Sequence, residues 1–361
     1  MPYLTSVALP TLSTPPVRAS RPGRPHRRPA AGAALLLVAL ALAVFASLTV
    51  GAKSVPLSEA LAALGGDRTG DALVVSALRF PRTLLGLLVG LALGLAGAVA
   101  QELTRNPLAD PGLLGISAGA AVAVAAGIGL FGLTSPYEYV WFAFAGAACA
   151  GVLVYLIGGA GRGSARSGGA SPVKLALAGA AVTALLGSFT SALVLLDVRT
   201  LDEYRFWAVG SLAGRDGALA GQLGPFVVVG AVAALGLAPR LNALALGDDV
   251  ASALGVRLGV TRLLGAGAVI VLTGAAVAAA GPVTFVGLVV PHLVRACTGP
   301  DLRWLVPCSA LGGAVLLLGA DTLGRVLDRP GEVPAGVVTA LIGAPFLIVL
   351  VRRGRLREHT R

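Results

Sequence analysis

Apolar segments long enough to cross a lipid bilayer recur along the whole chain, and they constrain its fold more than any other feature. About 20 apolar residues cross the hydrocarbon core as a helix, whereas a membrane barrel needs strands of alternating polarity. The predicted spans are residues 31–50, 83–103, 113–132, 139–159, 174–196, 219–238, 262–280, 284–298, 304–324 and 335–351. A hydrophobic fraction of 56% excludes an ordinary soluble domain. We therefore expect an all-α polytopic membrane protein with about ten transmembrane helices.

Two features predict how the spans are arranged. The eighth span is short, and Gly287 and Pro291 are expected to interrupt it, so that its backbone needs protein neighbours or trapped water. Residues 84–101 also resemble residues 263–281 in their pattern of small residues, and the two copies would run in opposite directions. This similarity favours an inverted repeat, which is common among transporters.

The basic residues predict the orientation. With ten spans both termini lie on one side, and that side would hold most of the 28 Lys and Arg residues. By the positive-inside rule it is the cytoplasmic side of the cell membrane. We expect residues 1–30 to be a disordered basic tail, residues 31–355 the transmembrane domain, and residues 356–361 a cytoplasmic tail.

Several classes of function are disfavoured. The only lysines, Lys53 and Lys174, do not follow a Gly-x-x-x-x-Gly motif, so another chain would have to bind any nucleotide that powers this protein. The three cysteines and three histidines are scattered, and we expect no metal site and no cofactor. The spans hold no nucleophile–base pair that indicates an enzyme. The distribution of the net charge of +11 argues against a nucleic-acid partner.

The segment Leu241–Arg262 is a polar helix candidate between two long apolar spans. Asp248 and Asp249 follow Gly247 and would lie in the first helical turn, where the helix dipole favours acidic groups. Gly255 is placed to end this helix.

Val250 and Leu254 lie one turn apart on a shared face of the same candidate helix. A membrane protein that keeps such an element in an aqueous loop is expected to present it to a partner. The alternative is a helix that lies passively on the lipid headgroups.

The stretch Arg105–Ile116 contains two prolines and predicts a stiff turn after the second span. Asn106 and Leu108 would stand at the cytoplasmic end of the neighbouring helices, where their packing can close a water path. The alternative is a simple turn. The stretch Gly281–His292 predicts a chain reversal followed by a kinked helix, with His292 as a structural hydrogen-bond donor; a proton carrier is the alternative role for His292.

These stretches, together with Leu241–Val256 and Gly336–Gly354, resemble FecCD-type permeases, the membrane subunits of ABC importers for iron–siderophore complexes, haem and cobalamin. The resemblance covers approximately residues 35–355, and its motifs RNPLADPGLLGISAGA and GPVTFVGLVVPHLVR are long. It implies a type II importer fold in a lipid membrane, with a second permease subunit, ABC ATPase subunits below and an extracytoplasmic substrate-binding protein above. An iron–siderophore complex is the expected cargo, and haem and cobalamin are the alternatives.

The resemblance also implies roles for individual residues. The inner gate would be Asn106 and Leu108, and a second gate element has Pro172–Val173 as its nearest match. The loop that couples to the ATPase would comprise Leu241, Leu244, Gly247, Asp248, Asp249, Leu254, Gly255 and Arg257.

Three arginines match the docking site for the binding protein. Arg79, Arg82 and Arg325 would face acidic residues of that protein, and such pairs fix the docking register. Arg79 and Arg82 are equally explained as interfacial anchors at the start of a helix.

An ion-coupled secondary transporter is the alternative class. Such a protein typically needs an ionisable group at mid-membrane, and Glu102 and Asp321 are the carboxylates nearest to that description. Glu102 lies at the inner end of its span, and Asp321 is one turn from Arg325 and can pair with it. The sequence therefore favours a passive conduit powered by a separate ATPase.

Overall fold

The computed structural model describes residues 29–51, 54–159, 172–215 and 217–358, and every regular element in these ranges is helical. In chain order the α-helices are α1 (Pro29–Thr49), α2 (Leu57–Leu64), α3 (Gly70–Val74), α4 (Phe80–Thr104), α5 (Ile116–Phe131), α6 (Pro136–Gly159), α7 (Pro172–Leu196), α8 (Val198–Ala208), α9 (Gly217–Ala245), α10 (Asp248–Ala253), α11 (Leu258–Ala280), α12 (Val286–Thr298), α13 (Leu302–Leu327) and α14 (Ala335–Glu358). A π-helical turn, Val75–Arg79, joins α3 to α4 without a break, and a 3-10 turn, Pro111–Leu114, precedes α5.

Ten apolar helical segments lie in the described residues, in agreement with the expectation of about ten transmembrane helices. Eight are long and apolar enough to cross a membrane, namely α1, the continuous α3–α4 helix, α6, α7, α9, α11, α13 and α14. The two shorter apolar helices are α5 and α12. Residues 1–28 of the predicted basic tail lie outside the described residues, and α1 begins at Pro29, next to the expected boundary at residue 30.

The helices alternate in direction, so the bundle has two ends that differ in their contacts. Gly32 at the start of α1 lies against Thr298 at the end of α12, and we call this the proximal end. Ser47 near the end of α1 contacts Arg325 near the end of α13, and we call this the distal end.

Helix α4 lies at the centre and packs on α13, α11, α9 and α12. Small residues allow this, because a side chain at Gly94 would overlap the carbonyl group of Ser309, and one at Gly90 would overlap Gly313 and Ala314. The backbones of α4 and α13 are therefore in direct contact, as in other membrane bundles rich in small residues.

Helix α12 corrects one expectation from the sequence. Gly287 and Pro291 were expected to interrupt it, but the helix runs unbroken from Val286 to Thr298. Proline lacks an N–H, so Pro291 leaves the carbonyl oxygen of Gly287 without its usual helical donor. The side-chain amide of Gln101 on α4 donates to that oxygen at 3.3 Å and to the carbonyl of Leu288 at 3.1 Å. A neighbouring helix thus replaces the missing bond.

The two short helices begin in the same way, which agrees with the expected inverted repeat. Helix α5 follows Gly115 at φ 79°, and α12 follows Phe285 at φ 69°. Asp110 accepts hydrogen bonds from the backbone N–H of Gly112, at 2.8 Å, and from that of Phe285. This buried carboxylate therefore joins the starts of the two short helices.

Two predicted boundaries are wrong. The sixth span was expected to end at residue 238, but α9 continues through Pro239 to Ala245. The second span was expected to start at residue 83, but its helix begins at Gly70. Helix α8 was not anticipated; the carboxylate of Asp197 caps it by accepting from the N–H of Thr200 at 3.0 Å.

Candidate functional site

A short helix protrudes at the proximal end, where the sequence predicted a coupling loop. Helix α10 begins after Gly247, at φ 110°, and Asp248 and Asp249 form its first turn. Leu254 caps its carboxyl end and Gly255 follows at φ 80°, a value that favours glycine. The local structure of this segment is therefore the one expected from its glycines.

Three apolar side chains spaced four residues apart are exposed on this segment. Leu246, Val250 and Leu254 are 66%, 45% and 64% exposed, and we call them the α10 stripe. Ala251 on the opposite side is fully buried. Exposed apolar side chains grouped in this way are typical of a surface that contacts a partner protein or a membrane.

Two members of the predicted coupling loop do not belong to it. Leu241 and Leu244 are completely buried in the last turns of α9, because this helix does not stop at Pro239. They pack in the core, whereas Asp249 and Arg257 are exposed on the segment itself.

Asp248 is held by two arginines from other helices. Arg262 of α11 donates from Nη2 to both carboxylate oxygens, at 2.9 and 2.8 Å. Arg105 at the end of α4 donates to the same carboxylate and, at 3.2 Å, to the carbonyl of Leu244. Burial acts to raise the pKa of Asp248, but the hydrogen bonds and charges of Arg262 and Arg105 outweigh it and lower that pKa. The carboxylate is therefore ionised at neutral pH.

The predicted gate loop follows Arg105 directly. The side-chain oxygen of Asn106 accepts from the N–H of Leu108 at 2.9 Å, and its carbonyl accepts from Ala109 at 3.0 Å. These bonds stiffen the turn. Asn106 and Leu108 line an open groove of about 980 Å³ together with Val173 at the start of α7. Both predicted gate elements thus meet at one groove.

Further polar contacts tie the proximal ends of the helices together. Glu102 on α4 accepts from Nη2 of Arg295 on α12 at 2.6 Å. Asn242 on α9 donates to Asp301, which begins α13, at 2.7 Å. Glu102, one of the two carboxylates considered for ion coupling, is therefore engaged in an ion pair.

The second of those carboxylates, Asp321, lies in an arginine cluster at the distal end. Its side chain is 1% exposed and accepts from Nε of Arg82 at 3.1 and 3.0 Å and from Nη2 of Arg82 at 2.8 Å. Arg325 approaches it to 3.2 Å, as the one-turn spacing predicts. The remaining nitrogen of Arg82, Nη1, donates to Glu332 at 2.7 Å.

The expectation of three exposed arginines needs correction. Arg79 and Arg325 are only 7% and 3% exposed. Arg79 donates to the carbonyl of Leu48 at 2.9 Å, and Arg325 donates to that of Ser47 at 2.9 Å. Carbonyls in the last turn of a helix lack intrahelical donors and carry the negative end of its dipole. Both arginines therefore cap α1. Neither Arg79 nor Arg82 starts a helix, since the helix begins at Gly70.

All three arginines nevertheless reach one open cavity of about 570 Å³ at the distal end. Arg215 and Glu332, which the sequence analysis did not single out, also line it. Arg215 donates to the hydroxyl of Tyr139 at 3.1 Å. The cavity wall therefore holds four arginines and one partly exposed carboxylate.

The comparisons with known proteins concern the family and the fold. The model of the FecCD transport family matches residues 38–353. The ferric enterobactin transport system permease protein FepD of Escherichia coli is 48% identical over 88% of this chain and 94% of its own length. The hemin transport system permease protein HmuU of Yersinia pestis is 39% identical over 89% of this chain and 95% of its own length. A solved inward-facing structure of a metal-chelate type ABC transporter matches with a TM-score of 0.77 and 30% identity, over 90% of this chain and 99% of that one.

Proposed function

The chain belongs to the FecCD transport family, and from this premise we propose that it is the membrane permease of an ABC importer for an iron–siderophore-type chelate. The cargo rests on the relatives' names. FepD is named for ferric enterobactin and YfmD of Bacillus subtilis, 41% identical, for Fe(3+)-citrate. Haem is the second candidate, because HmuU is named for hemin.

The α10 stripe is the observation that carries the proposal. An ATPase that drives a permease must bind it outside the membrane, and a few side chains that become buried at the centre of a contact supply most of the affinity. Val250 and Leu254 provide such side chains on a helix that is fixed to the bundle by Asp248. We propose that ATPase subunits bind this stripe, with Asp249 and Arg257 at its polar rim.

The proposed orientation follows from the stripe and from charge. Because the ATPase subunits are proposed to bind the α10 stripe from the cytoplasm, the proximal end, which carries the stripe, is assigned to the cytoplasmic side. This assignment agrees with the basic segments at both termini. The distal end faces outward, and its arginine-lined cavity receives carboxylates of a substrate-binding protein. Arg82 would make the direct contact, while Arg79 and Arg325 hold the cavity wall through α1.

The transport step needs little chemistry from this chain. A second permease subunit would complete the pathway, and lipid would cover the remaining apolar surface. Asn106 and Leu108, opposite Val173, would form the inner gate across their shared groove. An importer of this kind needs weak wall contacts, since tight binding would retain the cargo.

Ion coupling is less well supported. Glu102 and Asp321 are both paired with arginines. Carboxylate oxygens that already accept hydrogen bonds from an arginine are poorly placed to bind a coupling ion.

Vesicle transport tests the function. We expect vesicles that contain the permease, its ATPase and its binding protein to accumulate a ferric siderophore only with ATP. Accumulation by the permease alone under a proton or sodium gradient would overturn the proposal.

A further inference from the structure

Asp248 joins three parts of the proximal end that are far apart in sequence. It belongs to α10, its partner Arg262 belongs to α11, and its partner Arg105 belongs to the end of α4. The side chain of Asp248 is 31% exposed and that of Arg262 is 10% exposed. This arrangement differs from that of the neighbouring Asp249, which is exposed on the outer side of the segment.

We propose that Asp248 is a positioning residue that transmits the movement of α10 to the gate loop through Arg105 and to α11 through Arg262. It does not contact the ATPase itself. This proposal rests on the proposed function and adds the route by which work passes from the α10 stripe to Asn106 and Leu108.

Arg105 is suited to this role by its backbone. It adopts φ 48°, a left-handed conformation that is uncommon outside glycine, and it ends α4 immediately before Asn106. Its guanidinium also bonds the carbonyl of Leu244 at the end of α9. Arg105 thus bonds Leu244, before the turn that leads into α10, and Asp248, after it. A displacement of α10 therefore acts on Arg105, which directly precedes the gate residue Asn106.

Arg262 provides the second connection. Its two bonds to Asp248 come from one nitrogen that lies between the carboxylate oxygens, 2.9 and 2.8 Å away. Because Arg262 lies in the first turns of the long helix α11, a displacement of α10 also acts on that helix. A charged pair with these bonds resists separation more than a neutral contact would.

The connection continues beyond α4. Glu102 lies one turn before Arg105 and pairs with Arg295 on α12 at 2.6 Å. Charged side chains therefore connect α10 to α4, and α4 to α12. Helix α11 is connected directly to α10 by Arg262.

A residue that contacts the ATPase and a residue that transmits its movement differ in how their loss affects ATPase assembly and transport. Loss of an ATPase contact weakens assembly. Loss of a transmitting pair leaves assembly intact but lowers the amount of cargo moved for each ATP hydrolysed. Coupling energies between sites correspond to roughly 5- to 150-fold effects, and we expect a change of roughly tenfold here.

The experiment uses the complete transporter in vesicles, with a ferric siderophore as the probe. For Asp248→Asn we expect ATPase assembly and ATP hydrolysis close to wild type and a roughly tenfold lower uptake per ATP. Asp248→Glu should restore part of the loss, because it keeps the charge. Asp249→Lys should instead weaken assembly. Asp202→Asn on α8 removes an exposed pair with Arg205 and is the matched control, with unchanged values.

Two outcomes would overturn the proposal. One is wild-type uptake per ATP in Asp248→Asn, and the other is a loss of ATPase assembly as large as the loss of uptake. If Asp248→Asn does not fold, Arg105→Gln removes the link between α10 and α4, together with the bond to the carbonyl of Leu244, and leaves the pair of Asp248 with Arg262 in place. Normal coupling in that variant would contradict the proposal. A failure of the proposed function is distinguishable, because the wild-type transporter would then show no ATP-driven uptake.

Discussion

The side-chain amide of Gln101 donates to the carbonyl oxygen of Gly287, 3.3 Å away, where Pro291 has removed the donor that a continuous helix would supply. This contact lies at the crossing of α4 and α12, between the gate loop and the distal cluster. It allows α12 to contain a proline without an unsatisfied carbonyl in the bundle.

Gln101→Leu should therefore destabilise the protein. The carbonyl of Gly287 would lose its side-chain donor, which costs about 1–3 kcal/mol for a buried group. The measurement is thermal unfolding of the purified permease in detergent. Gln222→Leu, at an exposed position on α9, is the control. Equal melting temperatures for the two variants would show that the bond does not stabilise the crossing.

Gly97→Ala should disrupt the same crossing by overlap. The new methyl group would collide with the backbone of Gly287, and neither helix backbone can move aside easily. Overpacking of this kind costs about 1–3 kcal/mol or more. Gly267→Ala on α11 meets no atom within 4 Å and should leave the melting temperature unchanged or raise it. A tolerated Gly97→Ala would mean that α4 and α12 are less closely packed.

Asp321→Asn should weaken the distal end. The substitution keeps the size of the side chain but leaves Arg82 and Arg325 close together without their buried counter-charge. Removing one partner of a buried ion pair costs about 3–5 kcal/mol. We expect a clear fall in melting temperature, whereas Asp202→Asn, which breaks an exposed pair, should not change it. A stable Asp321→Asn variant would argue that water solvates the two arginines.

Glu332→Gln should strengthen docking of the binding protein. Glu332 is 34% exposed and pairs with the nitrogen of Arg82 that is not bound to Asp321. An incoming carboxylate must compete with it, and a partly exposed pair is worth up to ~1 kcal/mol, so the dissociation constant should fall by up to about fivefold. Glu203→Gln on α8 makes the same change in net charge elsewhere and is the control. Tighter docking in both variants would indicate a general field effect rather than competition at Arg82.

The sequence predicted those features that depend on neighbouring residues. Hydropathy is a local property, and it identified the ten apolar helices that the described residues contain. The ends of α10 depend on Gly247 and Gly255, and the pair of Asp321 with Arg325 depends on one helical turn. Each of these was predicted for the physical reason that the structure shows.

The remaining features depend on contacts between distant segments. Arg105 and Asp248 are 143 residues apart, and Arg82 and Asp321 are 239 residues apart, so no local pattern pairs them. Helix α9 continues through Pro239 to Ala245, so Leu241 and Leu244 lie in this helix, although the family resemblance placed them in the coupling loop.

The central claim is that a separate ATPase drives this chain through the α10 stripe, and site-directed cross-linking tests it most directly. Val250→Cys, in a background with the three native cysteines replaced, would be treated with a thiol cross-linker in vesicles that carry out ATP-driven uptake. We expect a covalent permease–ATPase conjugate from Val250→Cys and none from Phe131→Cys, which is 66% exposed at the distal end. ATP-driven uptake without any conjugate from Val250→Cys, or with an equal yield from Phe131→Cys, would contradict the account.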